Sequence, residues 1–127
     1  MARIRTIKPD FFRHEQLQDL EIAHPKQYIM LTFAGLWTLC DNQGVFPFKP
    51  RSIKLDILPF LSFDMTKTLD VLVNNGLIKV FKSGSDQYGY IPTFLTHQRL
   101  NTKELQEGKK YPEYTENQLD NIGNALS

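Results

Sequence analysis

Residues 25–41, PKQYIMLTFAGLWTLCD, place Ile29, Phe33, Leu36 and Cys40 at i, i+4, i+7 and i+11 with no internal proline. This spacing predicts a helix with Pro25 at its first position. Tyr28, Met30, Leu31, Trp37 and Leu39 widen the apolar face well beyond one stripe, so this helix is expected to be the most buried, with Trp37 in the core. Asn42, Gln43 and Gly44 stop it. Residues 45–48 are β-prone but interrupted by Pro47, which suits a short edge strand or an extended linker.

A second helix is predicted between Pro50 and Pro59, with Ile53, Ile57 and Leu58 inward and Arg51 and Lys54 outward. Ser62 or Asp64 can cap a third helix that runs to Asn75 and stops at Gly76. Met65, Leu69, Leu72 and Val73 form its inner face, and Thr66, Lys67, Asp70, Val71 and Asn74 its outer one. After Gly76 the hydrophobic period becomes extended: LIKVFK, a polar SGSDQ turn, then YGYIPTF. That pattern predicts a β-hairpin with its tip at residues 83–87.

The order is helix, short strand, helix, helix, hairpin. It describes an α+β fold, a winged helix-turn-helix with a three-helix core and a two-stranded β-hairpin wing. A small α+β domain with the same elements packed differently is the alternative. The chain divides into a basic N-terminal arm (1–24), the winged-helix domain (25–101) and a C-terminal linker or tail (102–127). From about Glu113 onward only Tyr114, Leu119, Ile122 and Leu126 are large and apolar, so a mobile linker or a weakly docked short helix is expected.

The chain has 127 residues, 41% apolar, which is enough for one core and too few for two. Cys40 is the one cysteine, and no Cys/His spacing resembles a zinc site. The opening residues lack the apolar run of a signal peptide, and no stretch nears the roughly 18 apolar residues that span a bilayer. A folded cytoplasmic protein without membrane contact is expected.

Net charge is +1, but its distribution is uneven. Glu113, Glu116 and Asp120 lie in a stretch free of bases, so residues 1–112 hold all 15 basic side chains and 11 of the 14 acids. In residues 1–13, Arg3, Arg5, Lys8 and Arg13 face only Asp10. Such an arm suits a polyanion, or simply a solvated terminus.

Chemistry beyond binding finds little footing. No nucleophile is framed by a base, the acids are dispersed, and His14, His24 and His97 are scattered. The SGS turn lacks the Lys-Ser/Thr of a phosphate loop, and Cys40 lies on an apolar face. A non-enzymatic protein without metal or cofactor is expected. Phe11 and Phe12 are expected to pack near Leu17 and Leu20, and an exposed pair would favour protein interaction.

The segments ARIRTIKPDFF, GLWTLCD, KPRSIKLDILPF, NNGLIKVF and YIPTFLTHQR, in this order over residues 2 to about 101, resemble a known family. They are similar to the N-terminal winged-helix domain of phage and prophage replication proteins, the DnaD-like replisome organisers and initiators. The resemblance implies binding of origin DNA or replication proteins such as helicase or helicase loader, in the bacterial host cytoplasm, with room for homo-oligomers. The chain reads either as such a domain alone or as a short relative.

Together these readings give a non-catalytic DNA-binding initiation module that takes duplex ahead of single-stranded DNA. The alternative is a winged-helix interaction module that assembles or interferes with host replication or defence proteins. The expected DNA contacts are Arg3, Arg5, Lys8, Arg51, Lys54, Thr66, Lys67, Asn74, Lys79, Lys82, Arg99 and Lys103, with the arm contributing more affinity than the third helix. Gln98, beside Arg99 and Lys103, is expected either to meet phosphates or to orient the arm. His97 and Gln98 alternatively cap the last strand.

Overall fold

The structure is a computed structural model that describes residues 2–115. It is α+β. A 3₁₀ turn, Pro9–Arg13, leads into α1 (Glu15–Ala23) and α2 (Ile29–Leu39). Then follow β1 (Val45–Pro47), α3 (Pro50–Ile57), α4 (Met65–Asn74), β2 (Lys79–Ser83), β3 (Asp86–Tyr90), α5 (Phe94–His97) and α6 (Thr102–Glu107).

Two elements lie where an arm was expected. His14 caps α1, its Nδ1 accepting from Leu17 N at 3.3 Å. Phe11 and Leu17 enter the core, while Phe12 is 58% exposed. The long helix begins at Ile29, not at Pro25, because Lys26 and Tyr28 take left-handed backbone with φ of 66° and 53°. The Glu21 carboxylate on α1 accepts from Ile29 N and Met30 N at 3.3 and 3.0 Å. It thereby satisfies two amides that a new helix leaves orphaned, and joins α1 to α2.

The middle of the chain follows its local signals. Pro50 occupies the first turn of α3, and the chain leaves that helix before Pro59. Asp64 caps α4, its Oδ1 accepting from Thr66 N and Lys67 N at 3.0 and 3.4 Å. Gly76, at φ +76°, closes α4 while Gly76 N and Leu77 N donate back to Val73 O and Leu72 O. This left-handed stop is where glycine is cheapest. Thr68 is buried and donates to Gln27 O at 2.7 Å, so it is not available to a ligand.

The hairpin pairs Lys79 with Tyr90 and Ser83 with Asp86, which puts its tip at Gly84 and Ser85. The sheet has three strands, not two, in the order β1-β3-β2, all antiparallel. Phe46 of β1 lies opposite Gly89, where a Cβ would sit 2.2 Å from the Phe46 ring. Gly89 therefore lets that ring lie across β3 and reach the core. Ile29, Phe33, Leu36 and Trp37 of α2 join Ile53, Leu69, Leu72 and Ile78 in one buried cluster, so α2 is the central helix.

The C-terminal stretch expected as a tail begins as structure. After α6, residues 108–115 cross the outer face of the sheet. Tyr111 approaches Tyr88 at 5.9 Å, and Tyr114 stacks on Tyr90 at 4.5 Å and meets Phe81 edge-on at 5.5 Å. Residues 116–127, the greater part of the expected mobile tail, lie outside the described residues.

Candidate nucleic-acid interface

The expected contact residues fall into two groups. Arg51, Lys54, Thr66, Lys67, Asn74, Lys79 and Lys82 belong to α3, α4 and the hairpin. Arg51, Lys54 and Thr66 line one open cleft of about 280 Å³ between α3 and the start of α4, together with Leu55, Phe63 and Asp64. Lys54 is partly committed there, its Nζ 3.4 Å from Leu58 O and 5.5 Å from the Phe63 ring centroid. Lys67, Asp70 and Asn74 are exposed at helical spacing along α4 and form one stripe. Lys82 is exposed on the hairpin, whereas Lys79 is half-buried. Lys49, just before α3, is a further exposed cation; it lies in the KPR run that opens α3 and was not among the expected contacts.

The second group, Arg3, Arg5, Lys8, Arg99 and Lys103, sits on the arm, after α5 and on α6. Here the expectation of a free cationic arm is corrected. Arg5 is 5% exposed at its side chain and pairs with Glu104 at 2.8 Å. Its Nε and Nη2 donate to Trp37 O and Cys40 O, both at 3.0 Å, and its guanidinium lies over the Phe94 ring. The last carbonyls of α2 carry partial negative charge and Glu104 a full one, so the guanidinium is consumed inside the fold.

Arg3 is also engaged: its backbone N donates to Thr38 O at 2.8 Å, and its guanidinium pairs with Glu104 and Glu107. Lys8 Nζ donates to Thr96 O at 2.8 Å. Arg99 and Lys103 are exposed. The arm is a structural strap on the C-terminus of α2: Arg5 is buried in it, while Arg3 and Lys8 are engaged at the surface.

Gln98 does orient the arm. Its Oε1 accepts from Thr6 N at 2.8 Å and its Nε2 donates to Thr6 O at 2.8 Å, so one side chain imitates a β-partner for Thr6. The reading of His97 and Gln98 as strand caps gives way, because β3 ends at Tyr90 and both residues lie at the end of α5. Glu104, which sequence reasoning missed, is the acid that fixes the arm. Its local context TKELQE resembles any solvated helix.

His97 stacks on Trp37 at 4.8 Å and meets Phe33 edge-on at 5.5 Å. Burial in this aromatic cage, with His14 and Lys8 nearby, lowers its pKa below the ordinary 6.5. The folded state therefore keeps His97 neutral while the unfolded chain takes up a proton near pH 6.5. Stability contributed by the neutral ring is fully present above about pH 6.5 and is lost as pH falls below it toward the folded-state value. Urea midpoints at pH 7.5 and 5.5 are expected to differ less in His97→Phe, which keeps the stack without a titrating group, than in wild type. An equal difference in both would remove His97 as the cause.

Cys40 is 4% exposed, and burial pushes its thiol well above the ordinary value, which suits a packed hydrophobe and not a nucleophile. Among the described residues, no group of three or more His, Cys, Asp or Glu side chains could hold a metal ion. Among the same residues, no helix is long and apolar enough to cross a membrane.

No family model matches the chain, and neither the curated proteins nor the solved structures include a significant match.

Proposed function

We propose that the chain is a winged-helix DNA-binding module of a phage-type replication initiation protein, non-catalytic and working in the bacterial host cytoplasm. In this reading α3 and α4 are the helix-turn-helix, the β2–β3 hairpin is the wing, and β1 completes the wing's sheet. One observation carries it: Arg51, Lys54 and Thr66 share a single open cleft, beside the exposed Lys67, Asp70 and Asn74 stripe of α4.

The stripe holds one cation and one acid, so α4 is a weak reader of G·C edges. Affinity then comes chiefly from phosphate contacts of α3 and the wing, with Asn74 and Thr66 meeting base edges or the backbone. Duplex DNA is the primary ligand, and helicase or helicase loader are the protein partners this role implies.

Duplex affinity measured from low to moderate salt tests the reading. Each phosphate contact contributes roughly 0.9 to the slope of log K against log salt. Arg51→Ala combined with Lys82→Ala is expected to flatten that slope by about two units, and Lys67→Ala by about one at most. A wild-type chain that binds no duplex, or a slope that the double variant leaves unmoved, ends this reading.

A second reading, a protein-interaction module for host replication or defence proteins, draws on a different surface. Ile4, Ile7, Leu95 and Leu105 are 98%, 58%, 64% and 61% exposed. They lie where the arm runs beside α5 and α6, since Thr6 meets Gln98 and Arg5 meets Glu104. Exposed apolar strips of this kind mark contact surfaces.

A further inference from the structure

Phe60 is 96% exposed, although the loop that carries it is held at both ends. On one side Lys54 Nζ donates to Leu58 O at 3.4 Å; on the other it lies 5.5 Å from the Phe63 ring centroid. Phe63 meets Tyr28 edge-on at 5.0 Å, and Asp64 caps α4. Pro59 fixes the backbone immediately before the ring. The loop is thus anchored while the Phe60 side chain stands in solvent, and Phe63 of the same loop lines the cleft that holds Arg51, Lys54 and Thr66.

An aromatic ring on a fixed loop beside cations can accept the face of any nucleobase while the cations hold the flanking phosphates. In a regular duplex the base faces are already stacked on one another, so the ring needs an unpaired or unstacked base. A protein partner fits this place poorly. Leu55 is the one other large apolar side chain of α3 and α4 that is mostly exposed among the described residues. Two such side chains make a small apolar centre for a protein interface, whose buried core is its more apolar part.

We propose that Phe60 stacks on an unpaired DNA base presented beside the α3–α4 cleft, so that the domain prefers distorted or partly melted DNA to uniform duplex. This rests on the DNA-binding reading above and assigns the ligand of the same surface.

The test is an anisotropy titration of the full chain at one salt concentration with three DNAs: a duplex, the same duplex with a central two-nucleotide bulge, and the single strand. A second bulged duplex carries 2-aminopurine at the bulge. The bulged duplex is expected to bind more tightly than the plain one by about 5- to 150-fold, the range that stacking on one base supplies. The fluorescence of the 2-aminopurine should change on binding.

Phe60→Ala is expected to abolish that preference and the fluorescence change while leaving duplex affinity and melting temperature as in wild type; Phe60→Tyr should retain both. Phe60→Ala binding with an undiminished bulge preference overturns the stacking proposal alone, because duplex binding is intact. A variant that changes only the sedimentation of the protein also overturns it and makes Phe60 a protein contact. Absence of binding to all three DNAs overturns both this proposal and the DNA-binding reading.

Discussion

Arg5→Ala is expected to destabilise the protein by about 3 kcal/mol, the lower end of the cost of removing one member of a buried ion pair, because Glu104 keeps Arg3. Both side chains are inside: Arg5 is 5% and Glu104 is 6% exposed, with two charge-assisted bonds at 2.8 and 2.9 Å. The truncation leaves the Glu104 carboxylate with Arg3 alone, at 3.5 Å, and frees Trp37 O and Cys40 O at the end of α2. For a domain of this size the loss corresponds to a fall in melting temperature on the order of 15 °C. Arg5→Met with Glu104→Leu removes both charges and is expected to cost clearly less than either single change. Urea denaturation of wild type, Arg5→Met, Glu104→Leu and the double variant, with Arg5→Ala beside them, measures this. A single variant within about 1 kcal/mol of wild type would mean that the arm is not part of the fold. The same result separates the two roles of the arm, since a DNA-contacting Arg5 would alter salt dependence and leave stability alone.

Local signals were legible where both ends of an element are encoded next to it. Pro50 and Pro59 bracket α3, Asp64 and Gly76 bracket α4, and the change of period after Gly76 announces the hairpin. The segment EQLQDLEIA of α1 offers only Leu17 as a fully buried residue, and it is helical because it packs on α2 and supplies that helix's cap. The apolar spacing around Pro25 extended the central helix too far, as periodicity does not register the positive φ at Lys26 and Tyr28. The basic residues of the arm were legible as charge, but their destination was not. Arg5 and Glu104 are 99 residues apart, and no local pattern links them. The candidate interface was legible in its α3, α4 and hairpin cations, whereas the exposure of Phe60 only becomes visible once the loop 58–64 is placed.

Removing residues 108–127 is expected to lower stability by about 2–4 kcal/mol, because the segment is bound at two levels. Tyr111 and Tyr114, themselves half-buried, cover an aromatic face of the sheet under which Phe81 is fully buried, and each ring contributes roughly half of the 1.5–3 kcal/mol of full burial, less the cost of ordering it. Beneath them, Asp41 is 4% exposed and its carboxylate gathers five N–H donors. Oδ1 accepts from Gln43 N at 2.9 Å and Val45 N at 3.2 Å, which fixes the turn into β1. Oδ2 accepts from Gln43 Nε2 at 2.9 Å, Lys110 N at 3.3 Å and Tyr111 N at 3.0 Å, which ties down the segment. Asp41→Ala leaves four of these donors unmet, Gln43 Nε2 keeping Tyr111 O at 3.1 Å, and is expected to cost about 3 kcal/mol in the full chain. In the shortened chain two of the five donors are already gone, so the same substitution should cost measurably less. Urea denaturation of wild type, Asp41→Ala, the shortened chain and the combination closes the cycle. An unchanged midpoint on shortening would make residues 108–115 a tail that merely rests on the sheet, and strictly additive losses would break the link between Asp41 and the segment it holds.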